Sequence, residues 1–231
     1  MSIRENVARI KSDMEKAALA AGRDPKDILL CAATKMNDAD AVREAIAAGV
    51  NCCGENRVQE LTAKQAQNAY AGVPIHFIGH LQTNKVKQVV GKVDLIQSID
   101  SMRLLEAVNK EAARQGIQQD VLLEINVAKE ESKSGFALEE VDSVLSQICH
   151  FPSIRVLGFM AIPPICQNST ENHKFFQKMH NLSVDIMRKK YDNVCVNILS
   201  MGMSGDFADA IACGSTMIRV GTAIFGARDY S

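Results

Sequence analysis

Apolar residues along this chain gather into short unbroken runs, and between the runs they recur at helical spacing. The clearest run is residues 28–35, ILLCAATK. Six apolar residues in a row are too few for most helices and match a strand buried on both faces. Further strands are predicted at 51–54 (NCCG), 76–79 (HFIG), 95–98 (LIQS), 121–127 (VLLEINV), 154–162 (IRVLGFMAI), 196–200 (VNILS) and 216–221 (TMIRVG).

Helices are predicted around and between them. Residues 2–21 carry Ile3, Val7, Ile10 and Met14 on one face, with Ser2 and Glu5 as a capping box and Gly22 as the stop. A helix from Asp38 turns Val42 and Ile46 inward and ends at Gly49; ENRVQE opens the next. Others are predicted from Gln82 to Val90 and from Ser101 to Gly116, then on the face of Leu138, Val141, Leu145 and Ile148. The last two are Thr170 to Tyr191 and a short one over 206–213. Strict alternation without a linker points to one (β/α)8 TIM barrel forming a single domain over residues 1–231. An open doubly wound sheet is the alternative. Only ten residues follow strand 8, too few for a full helix, so the extra amino-terminal helix is expected to cover that gap.

Composition narrows the class. With 47% hydrophobic residues, 231 residues provide ample core. The 26 basic and 27 acidic side chains nearly cancel, and without tryptophan or aromatic-basic interleaving a nucleic-acid surface is not expected. Seven cysteines, several inside apolar runs and none in a CxxC pair, point to reduced thiols in the cytoplasm. No HExxH or zinc-like Cys/His spacing occurs, so no metal is expected. The amino terminus is charged and no apolar span suits a bilayer, so neither export nor membrane insertion is expected. The sequons at Asn168 and Asn181 then read as chance matches.

The candidate chemistry lies at the strand ends. Lys35 stands at the carboxyl end of strand 1, where barrels of this class place their active groups and where a charge is costly unless paired or modified. One strand-end lysine more often reaches solvent, so the other ends decide. Strand 7 is followed by SMGMSGD and strand 8 by RVGTAIFG, the two loops that bind phosphate in many such barrels. Gly202 and Gly205 permit close backbone approach, Ser204 offers a hydroxyl, and Gly221 with Thr222 begins a turn whose amides can face an anion. Together with Lys35 they describe a phosphorylated aldehyde held as an imine.

On AATK, GENRVQE, HFIGHLQTNK, KSGF, GFMAIPP, LSMGMSGDF and STMIRVGTAIFGARDY, in order over essentially the whole chain, the sequence resembles the YggS/PROSC-type pyridoxal 5′-phosphate (PLP) homeostasis proteins. The resemblance implies an alanine-racemase-type barrel (fold-type III) without that racemase's second domain. It implies that Lys35 forms the Schiff base with PLP and that Ser204, Gly221 and Thr222 hold the phosphate. Arg219 would face the pyridine nitrogen, making the cofactor a poor electron sink, with Asn56 and Met203 beside it. Lys133 matches a loop lysine near the mouth but is read here as a solvated charge beside Glu130 and Glu131; His80 is read as structural. Arg57, Phe159 and Gly205 depart from the family pattern, where an aromatic, a leucine and an acidic residue are usual.

The implied function is carriage: a monomeric cytoplasmic protein that buffers PLP and supplies it to apo PLP-dependent enzymes, with no catalytic residues. The rival is a PLP-dependent amino-acid racemase of low activity. A racemase needs acid/base groups on both faces of the α-carbon, and Tyr70, Tyr191 and Tyr230 all fall away from the predicted strand mouths.

Overall fold

The computed structural model describes residues 1–130, 133–164 and 169–226. Eight parallel strands pair in chain order and close on themselves, which decides against the open sheet. They are β1 (Leu29–Ala33), β2 (Cys52–Glu55), β3 (Ile75–Phe77), β4 (Leu95–Ile99), β5 (Gln119–Glu124), β6 (Ile154–Met160), β7 (Val194–Ser200) and β8 (Met217–Val220). The helices are α1 (Ile3–Ala20), α2 (Ala39–Ala47), α3 (Val58–Ala66), α4 (Met102–Gln115), α5 (Val141–Ser146), α6 (Ser169–Met187), α7 (Phe207–Ala212) and α8 (Thr222–Phe225). None is long and apolar enough to cross a membrane, among the described residues.

Strand alternation divides the core in two. Leu30, Ala32 and Cys53 belong to the large apolar cluster packed with the helices. Cys31, Cys52 and Met217 form a separate small cluster, and Leu95, Leu122 and Met160 another. The alternation places these inside the barrel.

Helix α1 begins with the expected capping box, Ser2 N donating to Glu5 Oε2 at 2.8 Å and Glu5 N to Ser2 Oγ at 3.2 Å. It buries Val7, Ile10, Met14 and Ala18 and packs against α2, α7 and α8. Asn6 Nδ2 donates to Ile224 O at 2.8 Å. Because α8 has only four residues, α1 occupies the side of the barrel beyond β8.

Three predicted helices differ in form. Residues 82–90 hold a 3-10 helix, Thr83–Gln88, with no side-chain cap at Gln82. A short uncapped stretch rich in valine lacks the reward for α winding. The helix expected around 138–148 is broken into two 3-10 turns flanking α5, capped only at the first, where Ala137 N donates to Glu140 Oε2 at 2.8 Å. Helix α6 stops at Met187, short of Tyr191, and β7 starts at Val194 after Asn193 takes a left-handed φ of 58°.

A buried polar knot ties the ends of β1 and β2 to α3. Glu55 is fully buried, and its Oε1 accepts from Thr34 Oγ1 at 2.5 Å, Lys64 Nζ at 2.5 Å and Tyr70 Oη at 3.0 Å. Lys64 also donates to Thr34 O at 2.7 Å. Removing one partner of such a pair strands the other charge in the interior. Lys64→Met should therefore cost about 3–5 kcal/mol in urea unfolding. The double variant Lys64→Met/Glu55→Leu should recover part of that loss; an additive double-mutant cycle would show that the pair is not coupled.

Candidate functional site

The carboxyl ends of the strands surround a cavity of about 370 Å³. Lys35, Asn56, Met203, Ser204, Arg219, Gly221 and Thr222, singled out from four separate stretches of sequence, all line it. Ala33, Ile78 and Ile162 add apolar wall; Asn172, Gly205 and Asp206 complete the lining.

The polar knot fixes both residues on the β1–β2 side. Lys35 directly follows Thr34 and Asn56 directly follows Glu55, so each starts from a backbone position held by the buried hydrogen bonds. Lys35 is half-buried, and Asn37 Nδ2 donates to its carbonyl at 2.9 Å. A Cβ on Gly79 would lie 2.2 Å from Asn56 O, so only glycine lets the end of β3 press against Asn56.

The opposite wall is built from the two loops after β7 and β8. Gly202 has a φ of +94°, and a Cβ there would meet Ala210 Cβ at 2.6 Å, so the turn into α7 requires glycine. Asp206 Oδ1 accepts from Met203 N at 2.6 Å and closes the loop. Ser204 Oγ accepts from Ala223 N at 3.3 Å and lies 3.4 Å from Thr222 Oγ1, joining the loops into one hydroxyl-bearing surface.

Arg219 is 5% exposed, so its charge is held inside the protein. Its Nη1 donates to Ser200 Oγ at 2.6 Å and its Nη2 to Ala161 O at 2.9 Å. Ser200 Oγ donates to Gln97 Oε1 at 2.7 Å, and Gln97 Nε2 lies 2.9 Å from His76 Nδ1. Burial lowers the guanidinium pKa, against the opposing charges of Cys31, Glu124 and Asp206.

Two groups in the lining are left wanting. The side-chain oxygens of Asn56 and Asn172 are buried without a hydrogen-bond partner, and both residues face the cavity. Such atoms are uncommon in finished interiors and mark where a ligand can supply the missing bond.

An adjoining cavity of about 300 Å³ shares Asn56, Ile78 and Ile162 and adds His80, Glu124 and Lys133. His80 is largely exposed, its Nδ1 3.1 Å from Asp100 Oδ2. Lys133 lies beside Glu130 as expected, its Nζ pairing with that carboxylate at 2.7 Å, but it is partly buried and lines this cavity, so it is not the solvated loop charge that the sequence suggests; Glu131 lies outside the described residues. Burial, with Asp100 adding, raises the Glu124 carboxyl to about 7, while Arg219 opposes the shift.

Sequence reasoning missed Asn172, Asp206 and Glu124. Asp206 was visible in SGD next to Ser204, whereas Asn172 near the start of α6 and Glu124 at the end of β5 carry no local signal. The pattern also hid a cluster inside the barrel, where donor atoms of Cys31, Cys52 and His76 lie within 4.8 Å of one another. Hydrogen bonding from the Cys52 thiol and then from His76 lowers the pKa of Cys31, against burial.

Residues 2–229 match the family model of the alanine racemase N-terminal domain. A pyridoxal phosphate homeostasis protein of Aquifex aeolicus is 40% identical over 230 residues, 100% of each chain. Another, from Pseudomonas aeruginosa, is 38% identical over 229 residues, 99% of this chain and 97% of that one. The chain belongs to the pyridoxal phosphate homeostasis protein family. Among solved structures, Synechococcus elongatus PipY with PLP bound is 32% identical with a TM-score of 0.84, covering 97% of this chain and 100% of that one. Clostridium difficile alanine racemase, 13% identical with a TM-score of 0.74, shares the fold, with 98% of this chain over 58% of that one.

Within the family, the three departures leave the cavity walls in place. The Arg57 side chain is exposed and is not part of the lining. Phe159 is buried in the cluster between barrel and helices. A Cβ on Gly205 would meet nothing within 4 Å, so the usual acidic residue would project into open space.

The raised Glu124 pKa has a defined sign. Between 4.5, its ordinary value, and about 7 the unfolded chain has released a proton that the native state keeps, so stability falls as pH rises through that window. Glu124→Gln cannot ionise. In urea unfolding it should exceed the wild type by on the order of 2 kcal/mol at pH 8, the advantage vanishing near pH 4.5. A difference independent of pH would mean that the carboxyl titrates normally.

Proposed function

We propose that this chain binds PLP in the larger cavity and carries it without turnover, keeping the free aldehyde low and supplying apo PLP-dependent enzymes. The observation that carries the reading is one cavity with an amine, Lys35, on one wall and the linked hydroxyls of Ser204 and Thr222 on another. Its volume lies within the roughly 300–1,000 Å³ of small-molecule sites, and the unsatisfied amides of Asn56 and Asn172 suit a ligand with several polar edges. The PLP-bound PipY relative supports the choice of ligand.

Bound PLP would supply an aldehyde able to condense with a primary amine, and Lys35 is the amine in the lining. Ser204, Thr222 and the backbone at Gly221 would hold the phosphate. Arg219, fixed by Ser200 and Ala161 O, would stand at the ring nitrogen and keep it unprotonated, which weakens the cofactor as an electron sink. Met203 would pack against the ring.

Carriage is favoured over racemisation by what the lining offers a proton. Its ionisable side chains are Lys35, Asp206 and Arg219; Asp206 is engaged by Met203 N, and the Tyr70 hydroxyl is bound to Glu55. The rival reading draws on Glu124, a carboxyl near 7 in the adjoining cavity. A reducing cytoplasm accords with free thiols at every described cysteine.

Purified protein given PLP should show a yellow absorption band that Lys35→Ala abolishes; a band that survives the substitution would defeat the reading. Ser204→Ala/Thr222→Val should weaken PLP by about 10-fold or more while leaving phosphate-free pyridoxal unchanged. Equal losses for both would remove the phosphate assignment. Single-enantiomer amino acids in deuterated water should keep their α-proton; exchange at an enzymatic rate that Glu124→Gln removes would establish the rival.

A further inference from the structure

We propose that Cys31 and Cys52 form a buried site for one soft monovalent metal ion of the Cu(I) class, inside the barrel and beneath the cavity. The two residues are direct partners across the β1–β2 ladder, and both are fully or almost fully buried. Their sulfurs, with a ring nitrogen of His76, lie within 4.8 Å of one another. Two metal–thiolate bonds of about 2.3 Å each span at most about 4.6 Å, so the ion fits between the sulfurs with little rotamer change.

The donors select the kind of metal. Paired thiolates in a dry apolar setting favour soft ions over magnesium, calcium or manganese. The packing around them is apolar, with Met217 and Ile198 against the pair.

Charge then selects the valence. Across the other edge of β1, Cys31 is the direct partner of Arg219. A monovalent ion with two thiolates carries one net negative charge, which the neighbouring guanidinium balances. A divalent ion would leave the pair neutral and remove the first of the negative charges that face the guanidinium, leaving Glu124 and Asp206. On binding, the Cys31 and Cys52 thiols give up their protons to solvent, two metal–sulfur bonds form, and nothing is oxidised or reduced.

The surrounding bonds are already arranged for a thiolate. Arginine can only donate, so the hydrogen bonds run from Arg219 to Ser200, from Ser200 to Gln97, and from Gln97 Nε2 to His76 Nδ1. Nδ1 therefore accepts, the ring proton stays on Nε2, and His76 serves the Cys31 sulfur as a donor and not as a ligand. Entry from the mouth passes one movable side chain, Ile78. Ala33 and Gly54, two residues further along β1 and β2, carry only a methyl group and a hydrogen, and the Ile78 side chain that fills the place of a Gly54 Cβ is what must swing aside.

The test uses the full chain with Cys149, Cys166 and Cys195 replaced by Ser, without oxygen, and Cu(I) supplied as its bicinchoninate complex. This protein should withdraw one equivalent of copper, and X-ray absorption should show two sulfur neighbours. Cys31→Ser and Cys52→Ser, each checked by circular dichroism and paired with the Ala variant, should weaken uptake by about 100-fold or more. Lys35→Ala should leave it unchanged, which separates this site from PLP binding. Failure to take copper from the probe, uptake retained without Cys31 and Cys52, or a shell of nitrogen or oxygen would overturn the proposal.

Discussion

Four residue pairs, from Leu29 with Met217 to Ala32 with Val220, close the sheet on itself. That ladder brings the first strand of the chain beside the last, so Lys35 and the Gly221–Thr222 turn end at one mouth although 185 or more positions separate them. A parallel ladder is not self-sufficient, because its outer face must be covered. Here α8 is too short to do so, and α1 supplies the cover. Its Asn6 bonds to Ile224 O, and Arg23 just beyond it donates to Ile211 O at 2.8 Å and Ser215 O at 2.7 Å.

Closure also forces polar side chains into the interior, and the way each is satisfied separates structure from site. Glu55 and Lys64 neutralise each other and are further bonded by Thr34 and Tyr70, so the knot is structural. Arg219 is bonded on two nitrogens, yet it still lines the cavity, and its counter-charges are dispersed over Cys31, Glu124 and Asp206. Asn56 and Asn172 keep buried oxygens with nothing to accept. Glu55 Oε2 and Ser98 Oγ are also buried without a partner, but they lie away from the cavity; the orphaned oxygens of Asn56 and Asn172 are on its wall, where a ligand can supply the missing bond.

The strands and the seven lining residues chosen from the sequence were legible because apolar runs and the residues just after them carry the barrel's pattern locally. The segment 82–90 was misread as α-helical because valines at helical spacing look alike in α and 3-10 windings, and only the missing cap distinguishes them. Gln97, Ser200 and His76 were beyond reach for a different reason. Each sits inside an ordinary strand, and its role exists only through partners on strands whose register no single stretch specifies. Asn172 follows no run that points to the mouth, and Glu124 falls inside the predicted strand VLLEINV, which ends at Glu124 in the structure.

The same register makes the cavity floor and the thiol pair one electrostatic unit. Arg219 sits across the ladder from Cys31, and its hydrogen bonds run through Ser200 and Gln97 to His76, which donates back to the Cys31 sulfur. A charge change at the sulfur is therefore felt by the guanidinium directly through space and also through the orientation of Gln97. In a low-dielectric interior neither route is screened as it would be in water. The properties of the cavity are thus set partly by Cys31, Gln97 and His76, side chains that do not line it.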